Sequence, residues 1–437
     1  MIRCHHQTFV TKTGFFRFLL FSFTFFLPLF QSVLATPNTD EARQLFEQFS
    51  PSIFQILVVD KASSQKAAIG SGFLISDHGH IATNYHVISE LIHTPQNYTL
   101  QYLAYDGTIG DLTIQNIDIV HDLAIVKMSE PIGTPLSFKE GLAAKGTRIF
   151  SLGNPKDLGM SIVEGTYNGL LEQSLYEKIL FSGSLNSGMS GGPAIDRDGN
   201  VIGVNVSTAG NQLSFLVPIK YLSHLFQKNT TQGPVDKKEF HPHIEQQLYS
   251  NQNKFMTRVL DSKWELLELG NATVPGEIST FLKCWGDSSS AKESLFRLTS
   301  SGCSIKDNIF ITPDFSTGII SYDYEWFVAT DMNSFRLYNL IEGHFGWNNV
   351  SNRANKEQLT NFQCHTRFID QSQATWKVAF CARQYKKYPT IYDIYLSAAS
   401  VSEYDRSLIA HISLSGVSQS NSLRFMRRFL ESLQWKN

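Results

Sequence analysis

Short runs of alternating apolar and polar residues recur along the first half of the chain. They cover 53–59, 72–75, 98–104, 112–119, 123–128, 148–152, 178–181, 201–206 and 213–218. Glycine, proline and Asp-Gly pairs separate them, as at Asp198-Gly199. Period-two runs at such spacing predict an all-β unit of two six-stranded barrels facing each other, not alternating strand and helix. Before them, 40–49 has apolar residues at helical spacing behind Asp40, and Pro51 ends the pattern. From 218 to 228 a closing helix is expected, and the polar 229–234, with Gly233-Pro234, reads as linker.

The second half follows a different rhythm. Ile244, Leu248, Phe255, Val259, Leu260, Trp264 and Leu267 keep a helical period, the middle turns β-rich, and Leu423, Phe425, Met426, Phe429, Leu430 and Leu433 make a closing amphipathic helix. The expected organisation is an all-β double barrel over 36–228, a linker over 229–238 and a separate α+β domain over 239–437. His241-Pro242-His243 reads as a solvated stretch near the linker.

The N-terminal 35 residues look like an export signal. Arg3, Lys12 and Arg17 flank an apolar run over 18–30, and Val33-Leu34-Ala35 offers a cleavage point. Cleavage there takes three of the 37 basic side chains and none of the 39 acidic ones, so the mature chain is net −5. That balance points away from nucleic acid and from anionic membrane surfaces, and no later stretch is apolar enough to span a membrane. The chain is expected to be exported, periplasmic or secreted.

Export gives the cysteines meaning. Cys284, Cys303, Cys364 and Cys381 remain after the signal is lost. The runs 362–369 and 376–385 should form a hairpin through 370–373, and Cys364 and Cys381 are centred on that turn, so they should pair. Cys284 with Cys303 follows by elimination. The spacing does not suit a metal site, and no cofactor is expected.

The candidate chemistry lies in Asn186-Ser187-Gly188-Met189-Ser190-Gly191-Gly192-Pro193. Glycines around Ser190 allow the positive φ that turns backbone N–H groups toward one point, so Gly188 and Ser190 would supply an oxyanion hole. A serine hydroxyl needs a base. His86, in Thr83-Asn84-Tyr85-His86-Val87, and Asp122, ahead of Leu123-Ala124-Ile125-Val126, supply one in the order His, Asp, Ser. A G-x-S-x-G elbow is disfavoured, because a hairpin rather than a helix follows Ser190 and the partners lie upstream. H-E-x-x-H is absent from the sequence.

Together with Gly70-Ser71-Gly72-Phe73, Gly153-Asn154-Pro155 and Phe215-Leu216-Val217-Pro218, these stretches resemble the HtrA-type branch of the trypsin-like serine proteases. The resemblance covers roughly 40–228. It implies His86 as general base, Asp122 as its orienter, Ser190 as nucleophile and Gly188 as oxyanion donor. It further implies polypeptide substrates, paired with Asn205-Val206-Ser207-Thr208, and a first specificity pocket near Ser184, Ser207 and Ser214. No acidic residue falls there, so a small or medium apolar side chain is expected before the scissile bond. Met189 replaces the Asn common in that branch, and no PDZ-like pattern follows. A homo-oligomer is compatible with the resemblance. The competing reading is a catalytically idle scaffold whose C-terminal domain binds an envelope or host partner.

Overall fold

Twelve antiparallel strands form the first half of the computed structural model, which describes residues 39–289, 295–305, 307–346, 352 and 354–436. The expected signal, 1–35, lies outside these residues. After helix α1 (Thr39–Phe49), strands β1 (Ile53–Asp60), β2 (Lys66–Leu74), β3 (His80–Thr83), β4 (Tyr98–Leu103), β5 (Ile109–Asp118) and β6 (Leu123–Met128) close a barrel in the order β1-β2-β3-β6-β5-β4. Helix α2 (Tyr85–His93) leaves the barrel between β3 and β4. Strands β7 (Arg148–Gly153), β8 (Ser161–Leu170), β9 (Ile179–Ser182), β10 (Pro193–Ile195), β11 (Val201–Gly210) and β12 (Leu213–Pro218) close a second, in the order β10-β11-β12-β9-β8-β7.

Two strands lacked a clear sequence signal. His80–Thr83 is too short for one, and β8 is interrupted by glycine. Its Gly165 lets the strand pass close to β9, since a Cβ there would lie 2.4 Å from the Phe181 ring and from the Ser182 carbonyl oxygen.

Helix α3 (Ile219–Gln232) runs past the expected end into the segment read as linker. Thr230 and Thr231 turn their hydroxyls back onto the Phe226 and Gln227 carbonyls, Asn229 is buried, and Gly233, with φ of 77°, stops the helix. Val235 N–H then donates to Gln115 O, which fastens the chain to the first barrel.

Helix α4 (Phe240–Asp261) opens the α+β region and is shorter than its periodicity suggests. Trp264 folds back so that its indole N–H reaches Val259 O at 2.9 Å, and Leu267 falls in strand β13 (Leu266–Leu269). With β14 (Ala272–Pro275) there follow β15 (Lys283–Ser289), β16 (Phe296–Ser304), the small hairpin β17 (Ile309–Thr312) and β18 (Phe315–Thr317), and β19 (Ile320–Ala329). Helix α5 (Ser334–Phe345), strands β20 (Gln363–Gln371), β21 (Ala374–Tyr385), β22 (Tyr388–Ser400) and β23 (Arg406–Val417), helix α6 (Gln419–Glu431) and β24 (Gln434–Trp435) complete it.

A seven-stranded antiparallel sheet, β15-β16-β19-β23-β22-β21-β20, is its centre. Alternation places Tyr322, Tyr324 and Trp326 with Leu408, Ala410 and Ile412 under Phe425 and Phe429 of α6. The opposite face gives Phe327, Ala399 and Ile409 to Leu337, Ile341 and Phe345 of α5. Cys284 faces Cys303, and Cys364 faces Cys381, across neighbouring strands, and both pairs are bonded. The turn of the latter hairpin is only Ser372-Gln373, both at positive φ, the geometry a two-residue hairpin demands.

The two architectures share apolar core. From Glu41 onward the chain packs as one compact unit. One continuous cluster joins Ile56 and Val126 of the first barrel, Ile88 and Ile92 of α2, Phe240, Ile244 and Leu248 of α4, and Ile309, Ile311 and Phe315 of the hairpin. His241 and His243, expected in solvent, are half-buried there instead, and His241 lies 5.3 Å from the ring of His93.

Burial pushes the His93 imidazole down to about 3, and the neighbouring His241 and Lys387 add to the effect. It is neutral in the fold but takes up a proton near pH 6.5 once unfolded, so its contribution is complete above that pH and is lost as pH falls toward 3. Unfolding free energy measured by urea titration is expected to fall with acidification by about 1.4 kcal/mol per pH unit from this group. His93→Gln should flatten the slope, and identical slopes in the two proteins would show that His93 is not the group responsible.

Candidate active site

The loop between β9 and β10 hangs on the first barrel through one buried side chain, Ser71 of β2. Its hydroxyl donates to Gly188 O at 2.7 Å and accepts from Asn154 N–H at 2.9 Å. Its own N–H donates to Ser190 O at 2.7 Å, and its carbonyl accepts from the Thr83 hydroxyl at 2.7 Å. Asn205 grips the loop from the other side, with Nδ2 3.1 Å from both Leu152 O and Met189 O and Oδ1 taking the Ser151 hydroxyl at 2.8 Å. The polar groups of the Ser71 and Asn205 side chains are all paired in a buried setting, which fixes the loop between the barrels.

Glycine is required by space as well as by φ. Gly188 (φ 95°) and Gly191 (φ 86°) lie in the left-handed region, and a Cβ on Gly191 would sit 2.3 Å from Ser71 O. A Cβ on Gly70 would meet Val87 at 2.5 Å and Ser190 O at 3.2 Å, which shows how closely α2 and the Ser190 loop approach. Among the described residues the N–H groups of Gly188 and Ser190 have no protein acceptor. Two free donors beside one hydroxyl are what an oxyanion hole needs.

His86 and Asp122 meet at the start of α2. Asp122 has φ of 55°, and its carboxylate receives the His86 backbone N–H at 2.8 Å and His86 Nδ1 at 2.6 Å. Its carbonyl accepts Asn84 Nδ2 at 2.7 Å and Tyr85 N–H at 3.3 Å. Two of the open N–H groups of the helix terminus, those of Tyr85 and His86, are thus spent on one residue, which orients the imidazole. Burial works against a charge on His86, but the Asp122 carboxylate outweighs it and lifts the imidazole above its usual range. Ser190 Oγ donates to Val206 O at 3.4 Å, and no hydrogen bond joins it to His86. At that length the bond holds the rotamer weakly.

Of the expected substrate contacts, Val206, Ser207 and Ser184 are at least partly open to solvent, and Val206 O lies 3.4 Å from Ser190 Oγ. Asn205 and Ser214 are turned inward instead. Asn205 supports the loop as described, and the Ser214 hydroxyl donates to Gly183 O and accepts from Leu185 N–H. Both side chains are fully buried, so they shape the site from behind. Met189 is fully buried too.

Sequence reasoning gave no role to Ser71, Thr83 or Asn154. Their signal was a hydroxyl or amide inside otherwise apolar or glycine-rich motifs. A fourth neighbour, Phe310 of β17, stands edge-on to the His86 ring at 5.9 Å, and nothing in the sequence linked it to the motifs.

Residues 70–204 match the trypsin-like peptidase domain family. Relatives include Protease Do-like 1 of the Arabidopsis thaliana chloroplast, 27% identical over 236 residues that cover 47% of this chain and 52% of the relative. Another is a probable periplasmic serine endoprotease, DegP-like, of Chlamydia pneumoniae, 29% identical over 189 residues, or 41% of this chain and 38% of the relative. Among solved structures, that of Deg5 is 28% identical across 46% of this chain and 99% of that one, with a TM-score of 0.39. The two barrels carry a trypsin-like peptidase domain of the kind found in HtrA and Deg proteases. The chain spans about half, or less, of the length of these two curated relatives.

Ser71→Ala removes a donor and an acceptor at once and leaves Gly188 O and Asn154 N–H unpaired. About 1–3 kcal/mol of stability should be lost by denaturant titration, and fluorophosphonate labelling of Ser190 should slow at least about tenfold. Wild-type stability and labelling in the variant would show that the loop does not hang on this hydroxyl.

Proposed function

We propose that this chain is an exported serine endopeptidase that hydrolyses polypeptides through an acyl-enzyme on Ser190. The observation that carries the reading is the His86–Asp122 pair at 2.6 Å, set against a glycine-walled serine loop with two unspent N–H donors. The peptidase domain is taken as 36–228, the connection as 229–238 and the α+β domain as 239–437.

In the reaction Ser190 turns from Val206 O toward His86 Nε2. Its oxygen attacks the peptide carbonyl carbon while His86 takes the proton, and Asp122 stabilises the imidazolium without accepting that proton. The oxyanion forms against the Gly188 and Ser190 N–H groups, each worth about 2.7–4 kcal/mol to the transition state. As the C–N bond breaks, His86 returns the proton to the leaving amine. Water, deprotonated by the same imidazole, then releases the acyl group. No step calls for a cofactor.

Two cross-strand disulfides support an oxidising compartment, as does a relative named periplasmic. No helix of the described residues is long and apolar enough to cross a membrane. Met189 has no charge to offer a newly cut N-terminal ammonium, so the mature chain should be active without proteolytic trimming.

Purified wild type should hydrolyse unfolded casein and label with a fluorophosphonate directly, and Ser190→Ala should lose at least about 10⁴-fold in kcat. Equal rates in both proteins would favour the idle-scaffold reading. Because Asp122 raises the His86 imidazole, the acid limb of the kcat/KM profile should lie above pH 6.5, with rate falling as His86 takes up a proton. A limb well below pH 6.5 would exclude His86 as the base.

A further inference from the structure

The hairpin β17–β18 belongs to the α+β region, yet it is built into the groove between the barrels. Asp307, just before it, is buried and holds the connection between β8 and β9. Its carboxylate takes Lys178 Nζ at 2.9 Å, the Ser174 hydroxyl at 2.7 Å and Leu175 N–H at 2.9 Å. The other end of β17 is tied to the first barrel, where Ile311 O lies 3.0 Å from the Tyr85 hydroxyl and 3.1 Å from His93 Nε2. Between the two anchors Phe310 stands edge-on to Tyr85 and His86 and stays partly exposed.

These contacts border an open cavity of about 230 Å³ beside the imidazole, lined among others by His86, Ile119, Tyr176, Val206, Ile309 and Phe310. The charges on its rim are already paired. Lys178 is held by Asp307, Glu177 by Lys220, and Asp122 by His86. His121 is likewise held by Asp118, and what remains open is a mainly apolar hollow, with Ser207 and Asn308 as its polar members and no free charge to meet a charged side chain.

An extended substrate running along Val206-Ser207-Thr208 alternates its side chains from one face to the other. With the scissile carbonyl at Ser190 and the preceding side chain, P1, lying toward Ser184 and Ser207, the next one, P2, must turn the opposite way, over His86. That direction is the cavity. We infer that the hairpin of the α+β region walls the P2 subsite, and that Phe310 and Ile309 select a compact aliphatic P2 side chain of valine or leucine size. The inference rests on the peptidase reading and assigns the C-terminal region a part in substrate choice.

The test uses the full-length protein and peptides of fixed P1 with Gly, Ala, Val, Leu, Phe, Lys or Glu at P2. Wild type should favour Val and Leu by about tenfold in kcat/KM over Gly, Phe, Lys and Glu. Phe310→Ala should erase that preference and raise the relative rate on P2 Phe about tenfold with P1 selectivity unchanged, and Phe310→Trp should shift the optimum to Gly and Ala. Thermal melts confirm that each variant is folded, and if the alanine variant is not, Phe310→Leu with its intermediate width takes its place. A P2 profile that does not move with residue 310, or an equal gain on every peptide as expected of a cover rather than a wall, would overturn the inference. Fluorophosphonate labelling separates the two layers. A wild type that does not label at Ser190 sinks the peptidase reading, whereas one that labels but ignores residue 310 at P2 sinks only the subsite.

Discussion

The geometry of the candidate site depends on a seam where a hydroxyl from one barrel holds the backbone of the other. Ser71 gives its proton to Gly188 O, takes one from Asn154 N–H, and sends its own N–H to Ser190 O. All of this happens out of water, where a satisfied network is stiff and an unsatisfied one is costly. Neither barrel contains the site alone. The first owns His86 and Asp122, the second owns Ser190, and the seam sets their distance. The glycines at 70 and 191 belong to the same constraint, because any side chain there would push the two apart.

Helix α2 shows how one element can shift two histidines in opposite directions. His86 and His93 are two turns apart, and burial opposes charge on both. Only His86 has a carboxylate against it, and Asp122 is enough to reverse the outcome. His93 has no carboxylate, and the pull of the Ile311 carbonyl toward the charged form is outweighed by burial and by the neighbouring His241 and Lys387, so it stays neutral. The first arrangement suits a base that must accept a proton. The second suits a joint between α2, α4 and the β17–β18 hairpin, whose apolar residues continue the core of the first barrel. The α+β region is therefore part of the surroundings of His86 and cannot shift without moving them.

Much of this could be read from the chain before any fold was known. The alternation over 53–218 announced strands, the glycines around Ser190 announced a cradle, and the symmetry of Cys364 and Cys381 about their turn announced a pair. These are local statements, since pleat, φ and hairpin register depend on a few neighbouring residues. Errors came where the signal was equally local but a distant partner overruled it. Residues 229–232 look like linker and became the last turn of α3, because threonine hydroxyls and Gly233 complete it. The support that the Asn205 side chain gives the loop was likewise not legible, since its partners Leu152 and Met189 are distant in sequence.

By itself the sequence determined most of the barrel-forming strands, the order in which the candidate residues His86, Asp122 and Ser190 occur, and the cysteine pairing, because each follows from short-range pattern or covalent chemistry. Only the tertiary structure decided that Ser71 joins the barrels, that Asp122 raises His86 while burial lowers His93, and that Phe310 stands over the imidazole from more than two hundred residues away. Those outcomes depend on which buried polar groups find partners once the chain has closed on itself, and no window of sequence contains both members of such a pair.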